Sequence, residues 1–509
     1  MEYKNLKTNV FSIDTVFNES AEQPVDADFT LPDYYPDISK VLKCCAVSRI
    51  SSKGINGNTV SVEGCVTVTV IYCGDDSSLN SYEYQYPFSK TFDTGCNTDG
   101  TFLKAKSRCE YINCRAVTGR KIDVHGAVGI YVTLTRRRLT EVVSDVDCSE
   151  IEMLRSQIPA SVPMGCNDKY LTVEEEIELG TGQPNICCVI RYDAEVSVTD
   201  SKILAGKSVV KGEMGIKLLY TSQDGSTQTV RCTVPFSQML EIDGMTDECV
   251  CESKAHIAKL EIKPRVSASG ESRSFLLNAK LLITSECCCN SDVAVILDAY
   301  SRKSEAEISK SEVCFDSICD SISETFNCKK NIEFTGDELS AVSDIWCETK
   351  TENIAFKDSN MIINGTVTAY IIALDKEGIP CFHEKTVDFE YCHPVSSKSQ
   401  NLKCLPEITV SGANYTLVSA SNMELRIDLY VSAAVYECNK IPLITDIQLK
   451  NEPVKKEKRG AMTVYFASGG ESVWDIARRY LADVEEVKQI NEISENILTD
   501  DRMILVPNN

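Results

Sequence analysis

The stretch VEGCVTVTVIY (62–72) decides the fold, because it returns as VKGEMGIKLLY (210–220) and again as INGTVTAYIIA (363–373). Apolar residues, many of them β-branched or aromatic, alternate or run on through the copies, as in strands with a buried face. The copies are spaced by 148 and 153 residues. A second block keeps both spacings: PDISKVL (36–42), PNICCVI (184–190) and DELSAVS (337–343). A third, Pro87-Phe88, Pro235-Phe236 and Asp388-Phe389, moves with them. Independent segments would not preserve their separation, so three copies of one domain are expected.

Each copy reads as β-rich. Turn clusters at 74–78 and 222–226 follow the glycine blocks and imply hairpins, and later strands are expected at 123–135, 275–285 and 424–435. Helical periodicity is scarce outside residues 36–45 and their equivalents. The fold class is therefore mainly β, with three repeated antiparallel β domains of sandwich type. Gly64, Gly212 and Gly365 fall at equivalent positions and suit a bulge or close backbone approach within a strand. The repeats are placed at 25–150, 173–300 and 325–440, after a lead segment 1–24. The third copy is the most diverged, with Leu339 for Ile and Ala373 for Tyr. Segment 441–461, ending in EPVKKEKRGA, is polar and basic and reads as a linker.

Residues 462–507 read as one small βααβ module. MTVYFAS opens as a strand, and SVWDIARRY places Val473, Ile476, Ala477 and Tyr480 on one helical face. Ser472 with Asp475, and Asp483 with Glu486, give N-terminal capping patterns for two short helices. Asn491 ends the second helix, and a closing strand from Met503 stops at Pro507. The module resembles a LysM domain: GESVWDIARRY stands where that family has G-D-T-L-W-x-I-A-x-x-Y, VEEVKQIN supplies the second helix, and ILVP matches the final L-x-I-P. The resemblance implies a shallow groove between loops 468–472 and 493–499, used in the family for N-acetylglucosamine polymers. Contact residues implied here are Gly470, Glu471, Ser472, Trp474, Arg478, Arg479, Asn491, Ile493 and Asn496. Glu471 replaces the usual loop aspartate, and Asp500-Asp501 precede the last strand. From Ala461 to Asn509 four basic residues face nine acidic ones. Such a module gains no long-range attraction to anionic wall polymer, which favours docking onto protein through an exposed face around Trp474, Arg478 and Arg479.

The chain of 509 residues carries a net charge of −23, and nucleic acid is a poor partner for it because phosphate binding is driven by Lys and Arg. The basic run Arg136-Arg137-Arg138 reads as a solvated strand end. The opening MEYKNLKTNVFSIDTVF lacks a signal-type apolar core, and no window approaches the ~18 apolar residues of a membrane span. A cytoplasmic chain with no transmembrane segment is expected. Its 25 cysteines, odd in number and often adjacent, read as mainly reduced packing residues. Cys381, His383, Cys392 and His393 form a mixed cluster whose C-x-H-x8-C-H spacing is not a standard zinc pattern. No metal or cofactor is expected. With four histidines, none in H-E-x-x-H, and no recognised nucleophile motif, no enzyme is expected either.

Three repeats with a P-D-I-x-x-V-L-like opening and a V-x-G-x-V-x-V-x-x-x-Y-like strand, joined to a C-terminal LysM, resemble the SPOCS-domain proteins of spore-forming Firmicutes. That resemblance implies a non-enzymatic spore coat morphogenesis adaptor. It would act in the mother-cell cytoplasm at the outer forespore surface, its LysM module docking onto the coat morphogenetic ATPase. The LysM pattern taken alone implies the alternative, a peptidoglycan (N-acetylglucosamine polymer) binding protein.

Overall fold

The alternating blocks become the central strands of three-stranded antiparallel sheets. The computed structural model describes residues 4–204, 206–268, 270–334, 338–397, 399, 401–453 and 460–508. The first repeat comprises β1 (Asn5–Thr30), β2 (Ile38–Asn56), β3 (Thr59–Gly74), β4 (Leu79–Asp93), β5 (Thr101–Ala116) and β6 (Lys121–Val146). The second comprises β7 (Ile151–Glu178), β8 (Cys188–Leu204), β9 (Lys207–Thr221), β10 (Thr227–Glu241), β11 (Val250–Arg265) and β12 (Ser274–Ser301). The third holds β13 (Ser304–Glu333), β14 (Leu339–Lys357), β15 (Asn360–Asp375), β16 (Pro380–Pro394), β17 (Leu402–Cys404), β18 (Glu407–Ser419) and β19 (Asn422–Pro453). A module of β20 (Met462–Ala467), α1 (Val473–Tyr480), α2 (Val484–Ile490) and β21 (Arg502–Pro507) follows. Repeat one pairs β2-β3-β4 in one sheet and β1-β6-β5 in the other; repeat two pairs β8-β9-β10 and β7-β12-β11. In repeat three, β14-β15-β16 face β13-β19, and β17 and β18 divide the place that β5 holds in repeat one.

Within each repeat the two sheets bury a common core, as aligned antiparallel sheets do. In the first, Val62, Val66, Val68 and Val70 of β3 meet Val124, Val128 and Ile130 of β6. The repeated sequence blocks touch one another here. Gly64 lies opposite Phe88, Gly212 opposite Phe236 and Gly365 opposite Phe389. A Cβ at these glycines would stand 2.3, 2.3 and 2.6 Å from the facing ring, and 2.3–2.4 Å from a backbone carbonyl on the other neighbouring strand. Only glycine leaves room for the ring to lie across the strand. The Tyr72 hydroxyl donates to the Pro36 carbonyl at 3.3 Å, and Tyr220 to Pro184 at 2.8 Å, which ties the opening block to the end of the central strand.

Several expectations need correction. Residues 36–45 are not helical: β2 carries register irregularities at Ile38/Lys40 and Val41/Lys43, and the equivalent strands share them at Val189/Arg191, Leu339/Ala341 and Val342/Asp344. Each inserts a residue that breaks strict alternation, and the apolar spacing then imitates a helix. The expected repeat starts at 25, 173 and 325 fall inside β1, β7 and β13. Of the lead segment 1–24, residues 5–24 are the first part of β1 and pair along most of β6, while residues 1–3 lie outside those described. Over 441–453 the expected linker is strand, paired with β13 as far as Ser304↔Pro453; residues 454–459 lie outside those described. Arg136 to Arg138 sit within β6 opposite Asp14, Ile13 and Ser12, not at its end. Four of the 25 cysteines are bonded, as Cys249–Cys289 and Cys251–Cys287. Strand alternation sends Cys287 and Cys289 to one face and Cys288 to the other, so adjacency did not prevent pairing. Elsewhere burial pushes the thiols of Cys45, Cys166 and Cys347 up to about 12, as packing residues.

The three repeats share cores. Leu42 and Ile71 of the first meet Ile190 and Leu219 of the second and Ile372 of the third in one cluster. Ile71, Leu219 and Ile372 are repeat equivalents, so the copies are grouped in the manner of a threefold. The long hairpins converge as well: Val10 and Val142, Ile158 and Val295, and Val313 and Leu443 form another common cluster. Polar contacts join each pair, with Tyr192 donating to Glu83 at 2.7 Å, Lys43 bridging Glu384 at 2.8 Å, and Lys217 donating to the Ile345 carbonyl at 2.7 Å.

Gly212→Ala is expected to destabilise the chain by about 1–3 kcal/mol through overpacking against Phe236 and Ser197. Gly215→Ala, where an added methyl meets nothing within 4 Å, is expected to stay within about 0.5 kcal/mol. Urea unfolding of both variants checks the contrast.

Candidate functional site

Two places gather functional chemistry: the C-terminal module, and a cavity between the repeats. In the module, α1 buries Val473, Ile476 and Ala477 against Ile504 and Val506 of β21. Asp483 caps α2, accepting from the Glu485 and Glu486 amides at 3.0 and 3.1 Å, and Asn491 ends it. Ser472 makes no side-chain cap on α1, which corrects the capping pattern expected there. The two loops of the expected groove meet. Gly470 N–H donates to the Leu498 carbonyl at 2.7 Å, Leu498 N–H to Glu471 at 2.9 Å and Val473 N–H to Asn496 at 2.9 Å, while Ser472 bridges Ile497. Asn496 also accepts from Lys488 at 2.8 Å, and the Ile493 amide donates to the Lys488 carbonyl. Asn491 is structural: its side chain bonds the Val487 and Leu505 backbones at 2.7–2.8 Å.

Trp474 is not on an exposed face, because the second repeat covers it. Its indole N–H donates to Asp298 at 3.2 Å, its ring meets Tyr300 edge-on at 5.0 Å, and 7% of it is exposed. Arg478 pairs with the same Asp298 at 2.5 Å. The Tyr300 hydroxyl donates to the Ala482 carbonyl, and Arg302 pairs with Asp483 at 2.9 Å. Arg479 alone of the three expected face residues turns away, its guanidinium over Tyr465 and donating to the Tyr465 hydroxyl at 2.8 Å. The uncovered face of the module is apolar: Met462, Val464 and Phe466 alternate along β20, and Met503 lies opposite Phe466. Phe466 is 78% exposed and the other three about half. Sequence reading missed Asp298, Tyr300 and Arg302, which look like ordinary alternation at the end of a long strand.

The cavity has a volume of about 1520 Å³ and is lined mainly by β2, β5, β8, β11, β14 and β18, all edge strands. Equivalent positions carry different chemistry. The first repeat contributes Arg49, Lys53, Lys106, Arg108 and Glu110, whereas the others contribute Glu195, Glu213, Glu348 and Glu407 with Lys350. Burial, and then Asp193, push the Glu195 carboxyl up to about 7, against the pull of Lys217. Desolvation lowers His256. A charged, mixed lining differs from the mostly apolar walls of small-molecule sites. Comparing equivalent positions of the three copies, Val47 with Glu195 and Glu348, is the signal that could have found it.

Cys381, His383, Cys392 and His393 lie along β16. Cys392 lies eleven positions after Cys381, roughly 36 Å of strand at about 3.3 Å per residue, so one ion cannot reach both. Among the described residues no group of three or more His, Cys, Asp or Glu is placed to hold a metal ion. No helix among them is long and apolar enough to cross a membrane.

Residues 37–117 and 185–264 match the family model described as SipL, SPOCS domain. The matched segments carry β2 to β5 and β8 to β11, the same four strands of the first and second repeats, and they support the SPOCS-domain family for both. The third repeat keeps the sheet arrangement with Ala373 where the others place Tyr72 and Tyr220. No curated protein and no solved structure matches the chain.

Glu195 gives a pH signature. Its folded pKa lies above that of the unfolded chain, so its contribution is present below the unfolded value and is lost as pH rises through about 7. Glu195→Gln is expected to flatten this decline, which urea midpoints measured from pH 4.5 to pH 8 would show.

Proposed function

We propose that this chain is a non-enzymatic adaptor in spore coat assembly, acting in the mother-cell cytoplasm at the outer forespore surface and docking by its LysM-like module onto the coat morphogenetic ATPase. The SPOCS matches in two repeats support the sporulation setting. The observation that carries docking is the uncovered apolar row Met462, Val464, Phe466 and Met503 on the module. Exposed apolar surface gathered on one face marks an interaction site more often than scattered residues do. Docking therefore moves from the expected Trp474 and Arg478 face to the outer face of β20 and β21.

Three observations favour an adaptor over the other classes. The repeats share cores and form a scaffold, and the module rests on the end of β12. The loops that would clasp a sugar spend backbone donors and acceptors on each other, which weakens the peptidoglycan alternative. The four histidines stand in no catalytic motif.

Purified full-length chain is expected to bind the coat ATPase and not peptidoglycan sacculi in sedimentation and surface-capture assays. Phe466→Asp should weaken ATPase binding by at least ~30-fold, about 2 kcal/mol for a buried aromatic anchor. Binding to sacculi with none to the ATPase would contradict the reading.

A further inference from the structure

The contact between module and second repeat has two halves carried by distant parts of the sequence. Asp298, Tyr300 and Arg302 occupy alternate positions at the end of β12 and its exit, and so share one face. They receive Trp474, Arg478, Ala482 and Asp483 of the module. The centre of this clasp is dry: Asp298, Tyr300 and Trp474 are each less than a tenth exposed. Opening such a contact threatens to strand the buried Asp298 carboxylate, whose partner Arg478 is half exposed. Here the receptor charges have second partners. Asp298 also holds Lys310 at 3.1 Å, and Arg302 also holds Glu152 at 3.2 Å. Release of the module leaves neither alone.

We propose that the clasp is exchangeable, and that the module of one copy seats on β12 of a second copy, linking chains through the same contacts. Every copy carries both halves, and none of these contacts requires them to belong to one molecule. A tethered module sees its own strand at an effective concentration on the order of millimolar for a short linker, so dilute chains close on themselves. Chains confined to a surface at comparable local density exchange modules. The contact joins two different surfaces, so reciprocal exchange closes a dimer and serial exchange builds longer assemblies.

Complementation between two full-length variants tests this. Asp298→Arg spoils the receptor and leaves the module intact; Arg478→Asp spoils the module and leaves the receptor intact. Neither closes on itself, but a mixture restores Asp298 against Arg478 between molecules. Light scattering is expected to give the monomer mass for each variant alone and twice that mass for the equimolar mixture. Tyr300→Ala with Trp474→Ala forms a second pair read in the same way, with circular dichroism as the check on folding, so that a misfolded member of either pair does not decide the outcome. A mixture that stays at the monomer mass in a well-folded pair, or single variants that associate as strongly as the mixture, would overturn the proposal.

Discussion

The extended ends of three β hairpins can bury their apolar faces only against one another, and that constraint organises the molecule. β1 with β6, β7 with β12 and β13 with β19 each run past the sandwich they belong to. Beyond it, Val10, Val142, Ile158, Val295, Val313 and Leu443 have no second sheet of their own repeat to cover them, and they cover each other. A second shared cluster adds Val143, Ile151, Ile296, Ala299 and Ile444. Full burial of such a side chain is worth about 1.5–3 kcal/mol, so a repeat alone would forgo an amount comparable with the whole 5–15 kcal/mol of a typical domain.

Grouping three sandwiches this way also turns open edges inward. Edge strands exposed to solvent invite pairing with other chains, and here β2, β5, β8, β11, β14 and β18 border the common cavity instead. Duplication supplied equal backbones, and divergence then set a mainly basic lining from the first repeat, Arg49, Lys53, Lys106 and Arg108 beside Glu110, against a mainly acidic one from the other two, where Lys350 stands among Glu195, Glu213, Glu348 and Glu407. The module sits apart from that cavity, seated on the end of β12, with its apolar row turned outward.

The sequence made legible whatever depends on local pattern. Equal spacings identified three copies, alternation identified β3, β9 and β15, and the three equivalent glycines announced the close approach that Phe88, Phe236 and Phe389 impose. Helical periodicity and Asp483 located the small helices. Failures came where distant partners decide. Residues 5–24 and 441–453 looked like parts of a lead and a linker because their apolar content is thin, yet pairing with β6 and β13 makes them strands. Trp474 looked solvent-facing because nothing near it in sequence reveals Asp298 or Tyr300. Cys251 and Cys287 looked like plain packing residues until register placed them opposite each other.

Hydrogen exchange on Leu443→Ala tests the shared hairpin core most directly. Leu443 is fully buried in the third repeat, and its truncation should cost about 2–5 kcal/mol. If the three hairpins stand or fall together, amide protection drops in the paired ends of β1 and β6 and of β7 and β12 as well as in β13 and β19. Protection lost in β13 and β19 alone, with the first two hairpins unchanged, would contradict the account.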